Sequence, residues 1–265
     1  MKSNKPRFNE KRVLKEIKKS FPNAKLASYK KLEGGLVSPV YCVNIKNPNK
    51  ELAIKIYKFK NGAAVRNNNR IISFLYEKDF PVPKIYSDRL FAKQGVVVMD
   101  FMKGLDALKL YNGSSQSMKK EILINFGKLL RRLHDLTIPE FWQHHSHEIK
   151  DKHDWIIWTK KRIKKYLIFA KENFSKEYFE FLRERFNELQ LSLISRFDFV
   201  PMHWDAHLSN ILLNSRGEIV GFFDFDNALK GDNLAELGQV KYWLRFRSKD
   251  YENFKYFLKG YGKNS

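Results

Sequence analysis

The sequence predicts an α+β protein whose N-terminal part is an antiparallel sheet and whose C-terminal part is mainly helical. Three observations carry that expectation. From Lys25 onward, short runs rich in β-branched and aromatic residues are separated by Gly34-Gly35 and by Asn47-Pro48-Asn49, which is the punctuation of a meander. Beyond Gly104 the apolar residues recur at helical spacing among many charges. Two short apolar runs then flank Asn214-Ser215-Arg216-Gly217, a combination that predicts a hairpin late in the chain.

Taken in order, Asn9 is placed to cap a helix over residues 10–20, with Val13, Ile17 and Phe21 on one face. Strands follow over 26–32, 37–45 and 52–57. A helix is expected over 63–78, with Val65, Ile72 and Leu75 facing the sheet. Pro81-Val82-Pro83 stops it, and two more strands lie at 84–86 and 96–101. The second, Val96-Val97-Val98-Met99-Asp100-Phe101, has the apolar continuity of a buried strand. A long amphipathic helix covers 117–136, further helices lie near 154–173 and 175–195, and a last one begins after the hairpin over 232–245.

The chemistry concentrates at that hairpin. Asp205 precedes its first strand, Asn210 follows five positions later, and Asp224 closes its second strand. Folding the hairpin brings the three to one edge, so that two hard oxygen ligands flank a free carboxylate. Phosphoryl transfer to a hydroxyl asks for this set, because the protein contributes positioning and charge neutralisation around magnesium more than covalent chemistry. Asp205 is then the candidate base, and Asn210 and Asp224 the candidate Mg2+ ligands. A second candidate element is Gly34-Gly35-Leu36-Val37-Ser38, where glycine lets backbone N–H groups approach phosphate oxygens; a plain hairpin turn is the alternative. Lys55 lies one strand later, where its ammonium would reach the same phosphates.

His203-Trp204-Asp205 with Asn210, then Gly221-Phe222-Phe223-Asp224-Phe225-Asp226, then Gly231-Asp232 with Leu234-Ala235, resembles the aminoglycoside phosphotransferase and choline kinase-like family. The resemblance spans about residues 32–237 and implies a bilobal protein kinase-like fold, with a nucleotide-binding lobe over 1–102 and a catalytic and acceptor-binding lobe over 103–265. It also implies a hinge at Met99, Asp100, Phe101 and Met102, whose backbone would meet adenine. The expected cofactors are ATP or GTP with Mg2+, and the expected acceptor is a small hydroxylated molecule. Two positions depart from the family. Trp204 stands where a glycine is usual, and Asn68 stands where the helix after the lysine strand normally offers a glutamate to Lys55. An amide there would accept a hydrogen bond from Lys55 without supplying charge, unless another acid substitutes.

Composition narrows the remaining classes. No apolar run approaches the roughly 20 residues of a membrane span and the start of the chain is charged, so the reading is a soluble, cytoplasmic protein. The single Cys42 has no internal disulfide partner and fits a reducing compartment as a buried, inert thiol. A formal charge of +21 favours anionic partners; dispersed lysines on solvated helix faces account for it more simply than a dedicated nucleic-acid surface. A protein- or RNA-associated kinase, or a catalytically weak nucleotide- or nucleic-acid-binding module, is the runner-up. His203, Asp205 and His207 alternate as a strand metal triplet would, but that hydrolase reading leaves Asn210, Asp224, the Gly-Gly loop and Lys55 without a role. The run His144, His145, His147, His153 with Glu148 and Asp151 lacks a fixed ligand spacing and reads as a polar loop.

Overall fold

The computed structural model describes residues 8–32, 38–58, 62–91, 94–143, 148–192 and 197–262. Helix α1 (Glu10–Ile17) starts at Asn9, whose side-chain oxygen accepts from the N–H of Arg12, and it buries Val13 and Ile17. It covers one face of a five-stranded antiparallel sheet made of β1 (Lys25–Lys31), β2 (Val40–Lys46), β3 (Lys50–Lys58), β4 (Ile85–Phe91) and β5 (Gln94–Asp100), in the order β1-β2-β3-β5-β4. Period-two alternation on β3 splits its side chains. Leu52, Ile54 and Ile56 join Val13 and Ile17 in one core, while Ala53 and Tyr57 lie on the other face with Val97 and Met99. Strand β2 begins at Val40 rather than at residue 37, because Pro39 has no N–H for the ladder; its carbonyl accepts from Ile56.

Between β3 and β4 runs α2 (Gly62–Glu77). The expectation that its apolar stripe faces the sheet holds only for Val65, which packs with Ala53, Tyr57, Val97 and Met99. Ile71, Ile72 and Leu75 are instead part of the core of the helical region, with Leu130, Leu133, Phe222 and Phe225. The helix is therefore shared between the two halves.

The helical region contains α3 (Ala107–Gly113), α4 (Gln116–His134), α5 (Lys152–Asn173), α6 (Lys176–Ser192), α7 (Asn233–Ser248) and α8 (Phe254–Tyr261). Three short ladders thread it. Strand β6 (Leu105–Asp106) pairs with β8 (Ile211–Leu213), β8 with β9 (Ile219–Phe222), and β7 (Phe199–Met202) with β10 (Leu229–Asp232). The β8–β9 hairpin turns through Asn214, whose N–H donates to Glu218, and through Gly217 at φ +78°. Helix α8, not anticipated from the pattern, lies against α4 so closely that a Cβ on Gly127 would overlap the carbonyl of Phe257, and one on Gly260 that of Ile124. Among the described residues no helix is long and apolar enough to cross a membrane. Cys42 is half-buried rather than buried, and burial raises the pKa of its thiol.

Candidate active site

The site forms where the cleft face of the sheet meets the β8–β9 hairpin. His203 organises the loop before it. The Asp205 N–H donates to His203 Nδ1 at 3.2 Å, which leaves the ring proton on Nε2 to donate to the Phe223 carbonyl at 2.7 Å. One buried imidazole thus ties the Asp205 loop to the backbone immediately before Asp224. Asn210 adds two more ties: its Nδ2 donates to the Asp205 carbonyl at 2.9 Å, and its own carbonyl accepts from the Phe223 N–H at 2.9 Å. With the amide nitrogen engaged, the amide oxygen is the end of Asn210 available as a metal ligand.

Asp224 sits at φ +66°, ψ +54°, in the left-handed region that Asp tolerates better than most residues. That turn sends its carboxylate to Lys55, whose Nζ donates to Asp224 Oδ1 at 3.0 Å and to Asp226 Oδ2 at 2.9 Å. The two acids are used differently. Asp226 Oδ1 accepts from Asn68 Nδ2 at 2.6 Å and from the Tyr57 hydroxyl at 3.3 Å, so both its oxygens are occupied. Asp224 accepts from Lys55 through Oδ1 and keeps the more exposed side chain, at 48% against 36% for Asp226. A partly exposed carboxylate at Asp224 and the amide oxygen of Asn210, whose backbone is tied to Phe223, are hard oxygen donors of the kind that fits a magnesium ion, which leaves its other positions to water and phosphate.

The electrostatics follow from this packing. Burial works against the Lys55 ammonium, but Tyr57, Asp226 and Asp224 outweigh it and hold its pKa well above the ordinary lysine value. Burial likewise opposes ionisation of Asp224, and Lys55 overcomes it, leaving the carboxyl below the usual range. Asp205 goes the other way: burial, aided by the negative charge of Asp224, raises its pKa against the opposing pull of His203 and Arg247. His207 is held neutral, its pKa lowered to about 4 by burial and by Arg247 and His203.

Asp205, Asn210, Asp224 and Lys55 are thus brought together as the sequence reading expected. Ser38 is buried next to the start of β2; Gly34 and Gly35 lie outside the described residues, as do His144, His145 and His147. Met99 and Phe101 join Val40, Ala53 and Val97 in an apolar cluster on the same sheet face as Tyr57. Met102 follows in the irregular segment 101–104. Asp100 fits less well: its N–H already donates to the Lys84 carbonyl at 3.0 Å, and its carboxylate is held by Tyr86 at 2.8 Å and Lys50 at 3.0 Å. The expected acceptance of a Lys55 hydrogen bond by Asn68 is also corrected. The amide is a donor to Asp226 and to Tyr57, and the substituting acid is Asp226 itself.

Reading from sequence missed Tyr57 and Asp226 as partners of Lys55. The available signal was local: Tyr57 is two residues along the strand and so on the Lys55 face, and Asp226 is two residues past Asp224. It also missed Glu236, fully buried on α7, whose Oε1 accepts from the Trp204 N–H at 2.6 Å and whose Oε2 meets His134 Nε2 at 2.7 Å. His134 continues to the Tyr261 hydroxyl at 2.7 Å, so the Asp205 loop is anchored through α7 and α4 to α8.

A lysine latched across a cleft onto a turn carrying two acids, opposite a loop carrying a third, defines a kinase-like phosphotransferase with a bilobal fold. The chain belongs to the phosphotransferase enzyme family, whose profile matches residues 28–262, and is accordingly a small-molecule kinase acting on hydroxyl groups. Solved structures agree in fold. The gentamicin complex of APH(2")-IIa superposes with a TM-score of 0.68 at 15% identity, covering 97% of this chain and 82% of that one. Aminoglycoside phosphotransferase APH(3'')-Id from Streptomyces rimosus gives 0.62 at 17% identity, covering 98% and 94%. An ethanolamine kinase from Plasmodium vivax gives 0.63 at 16% identity, covering 93% and 70%. None of the curated proteins compared matches the chain in sequence.

Proposed function

We propose that this enzyme moves the γ-phosphoryl group of ATP or GTP to a hydroxyl of a small molecule. Asp205 acts as the base, and Asn210 and Asp224 hold Mg2+. Bound magnesium neutralises phosphate charge and aligns the terminal phosphate. The chain's own contributions are separable. Lys55, latched by Asp226, orients the nucleotide phosphates, and Ser38, Gly34 and Gly35 are assigned to the same phosphates. The apolar cluster of Val40, Ala53, Val97, Met99 and Phe101 receives the base, with the backbone of residues 99–102 alongside. Asp205 lies in the loop that His203 ties to the backbone before Asp224, which supports its reading as a proton acceptor close to the proposed metal ligand.

The observation that carries this reading is the division of labour between the two acids: both oxygens of Asp226 are engaged by Lys55, Tyr57 and Asn68, whereas Asp224 is the more exposed of the two and follows Phe223, to which His203 and Asn210 tie the Asp205 loop. Two lobes, 1–102 and 103–265, close on the nucleotide in this scheme, with α2 belonging to both. The acceptor enters past Trp204, whose ring packs with Trp155 and Trp158 beside the catalytic loop, a wall suited to the flat apolar face of a sugar or similar ring. Work in the cytoplasm, where nucleotide is abundant, fits the same reading.

Two substitutions test it. Asp205→Ala is expected to reduce transfer to a panel of hydroxylated compounds by roughly 100-fold or more while nucleotide affinity stays near normal. Asp224→Ala is expected to lose magnesium-dependent nucleotide binding as well. Wild-type turnover in the first variant, or equal nucleotide affinity with and without magnesium in the intact enzyme, sinks the assignment.

A further inference from the structure

Helices α5 and α6 form an antiparallel hairpin that rests on the body at its root. There Trp155 is buried against Trp204, and α5 leans on β10; farther out, α5 packs against α6. Along α5 the residues Ile157, Lys161, Lys164, Ile168 and Lys171 recur at intervals of four and three, so they share one stripe, and all five are exposed. Phe169 next to that stripe contacts Phe174 at 6.2 Å between ring centroids, Phe174 contacts Tyr178 at 5.2 Å, and Tyr178 contacts Phe181 at 6.3 Å. These rings cross the hairpin tip onto α6, and each is 47% to 55% exposed. An uncovered apolar run of this length is unusual on a protein surface and marks a contact face.

The charge around it selects the occupant. Lys160, Lys161, Arg162, Lys164, Lys165 and Lys171 lie among the exposed apolar residues of α5, with Glu172 the one acid between 157 and 173. Helix α6 carries Glu177, Glu180, Glu184 and Glu188 against Lys176, Arg183 and Arg185, with Glu180 paired to Arg183 and Glu188 to Arg185, so the basic charge of the hairpin belongs to α5. A second copy of the chain would bring this basic stripe against another protein carrying +21. A nucleic acid would find bases to stack on the phenylalanines, but it has nothing to cover Ile157 and Ile168. An anionic lipid surface satisfies both features: headgroups neutralise lysines whose long stems snorkel, and the apolar rings and isoleucines enter the acyl boundary.

We propose that the α5–α6 hairpin docks the enzyme peripherally on an anionic membrane surface. The ring cluster lies at the far end of the hairpin: from Trp158 at the root to Phe169 the helix rises about 16 Å, which sets the inserted rings apart from the catalytic loop. The proposal does not depend on the assignment of Asp205 or Asp224.

Co-sedimentation of the full chain with vesicles tests it, using phosphatidylcholine alone and phosphatidylcholine with phosphatidylserine. The chain is expected to pellet with the anionic vesicles and to be released by salt. Lys161→Glu, Lys164→Glu and Lys165→Glu together, at exposed positions that do not threaten folding, should weaken the partition on the order of 100-fold, since each basic residue contributes about fivefold. Phe169→Ser with Phe174→Ser should also abolish it, with the melting temperature and nucleotide binding as checks on folding. Equal pelleting with both vesicle types, none with either, or triple-Glu binding like that of wild type overturns the proposal. So does a wild-type oligomer that the Phe→Ser pair dissociates without any lipid dependence, or poly(U) binding lost in the triple variant while vesicle binding persists.

Discussion

Trp204 shows how one side chain can hold its own backbone in an unfavourable conformation. It sits at φ +59°, where a residue with a Cβ costs on the order of 1 kcal/mol relative to glycine. Three contacts hold it there: its N–H donates to Glu236, its carbonyl accepts from Gln239 at 3.1 Å, and its ring meets Trp155 at 5.5 Å and Trp158 at 6.2 Å. Trp204→Ala keeps the strain and loses the ring, whereas Trp204→Gly loses the ring and relieves the strain. Both variants should be less stable than wild type, with the glycine variant ahead of the alanine variant by about 1 kcal/mol in urea denaturation. The reverse order would show that the backbone is not strained here. His207 makes a second prediction. Its pKa falls from 6.5 to about 4 on folding, so the unfolded chain takes up the proton first and stability is lost as pH falls through that interval. Between neutral pH and pH 5 this single group removes about 2 kcal/mol, and His207→Gln should flatten that part of the pH profile. An unchanged slope in the variant would place the acid sensitivity elsewhere.

Between elements, the contact that matters most joins α2, β3 and the turn after β9. In the family that the sequence resembles, the helix after the lysine strand normally supplies the acid for Lys55; here the turn supplies it as Asp226, and α2 supplies the amide of Asn68 that orients it. Exchanging the two tests this. Asn68→Glu alone sets a carboxylate against Asp226 Oδ1, where Asn68 Nδ2 now stands at 2.6 Å, and like charges at that separation repel strongly. We expect a raised KM for nucleotide and a lower melting temperature. Adding Asp226→Asn should restore much of both, because the acid is then back on the helix and the amide on the turn. A double variant worse than either single one would show that the arrangement is not interchangeable. Helix α8 illustrates the opposite case, an element held by absence of side chains: Gly127 and Gly260 let α4 and α8 meet backbone to backbone, with Tyr261 buried and bonded to His134.

For the molecule as a whole, a formal +21 means that folding gathers like charge into a compact volume. Added salt should screen that self-repulsion, so the melting midpoint should rise between about 10 mM and 150 mM salt, over which the Debye length shrinks from roughly 30 Å to 8 Å. A midpoint that falls instead would mean that ion pairs such as Lys55 with Asp224 and Asp226 outweigh the net charge. The two halves are not independent bodies, because Ile71, Ile72 and Leu75 of α2 share a core with Leu133 and Phe225.

Much of this architecture is local and was therefore readable in order along the chain. Period two fixes which residues of β3 share a face, period 3.6 marks α4, and a turn of Asn-Ser-Arg-Gly between two apolar runs makes a hairpin that draws Asp205, Asn210 and Asp224 to one end. Those relations hold between residues close enough in sequence for backbone geometry to decide them. The partner of Lys55, the reversal of Asn68 from acceptor to donor, the left-handed backbone of Trp204 and the splitting of α2 between two cores are different in kind. Each depends on where segments more than thirty residues apart come to rest, as with Trp204 and Glu236 or Asn68 and Asp226. Only packing in three dimensions sets those distances, and hydrogen bonds and Coulomb energies are decided by distance.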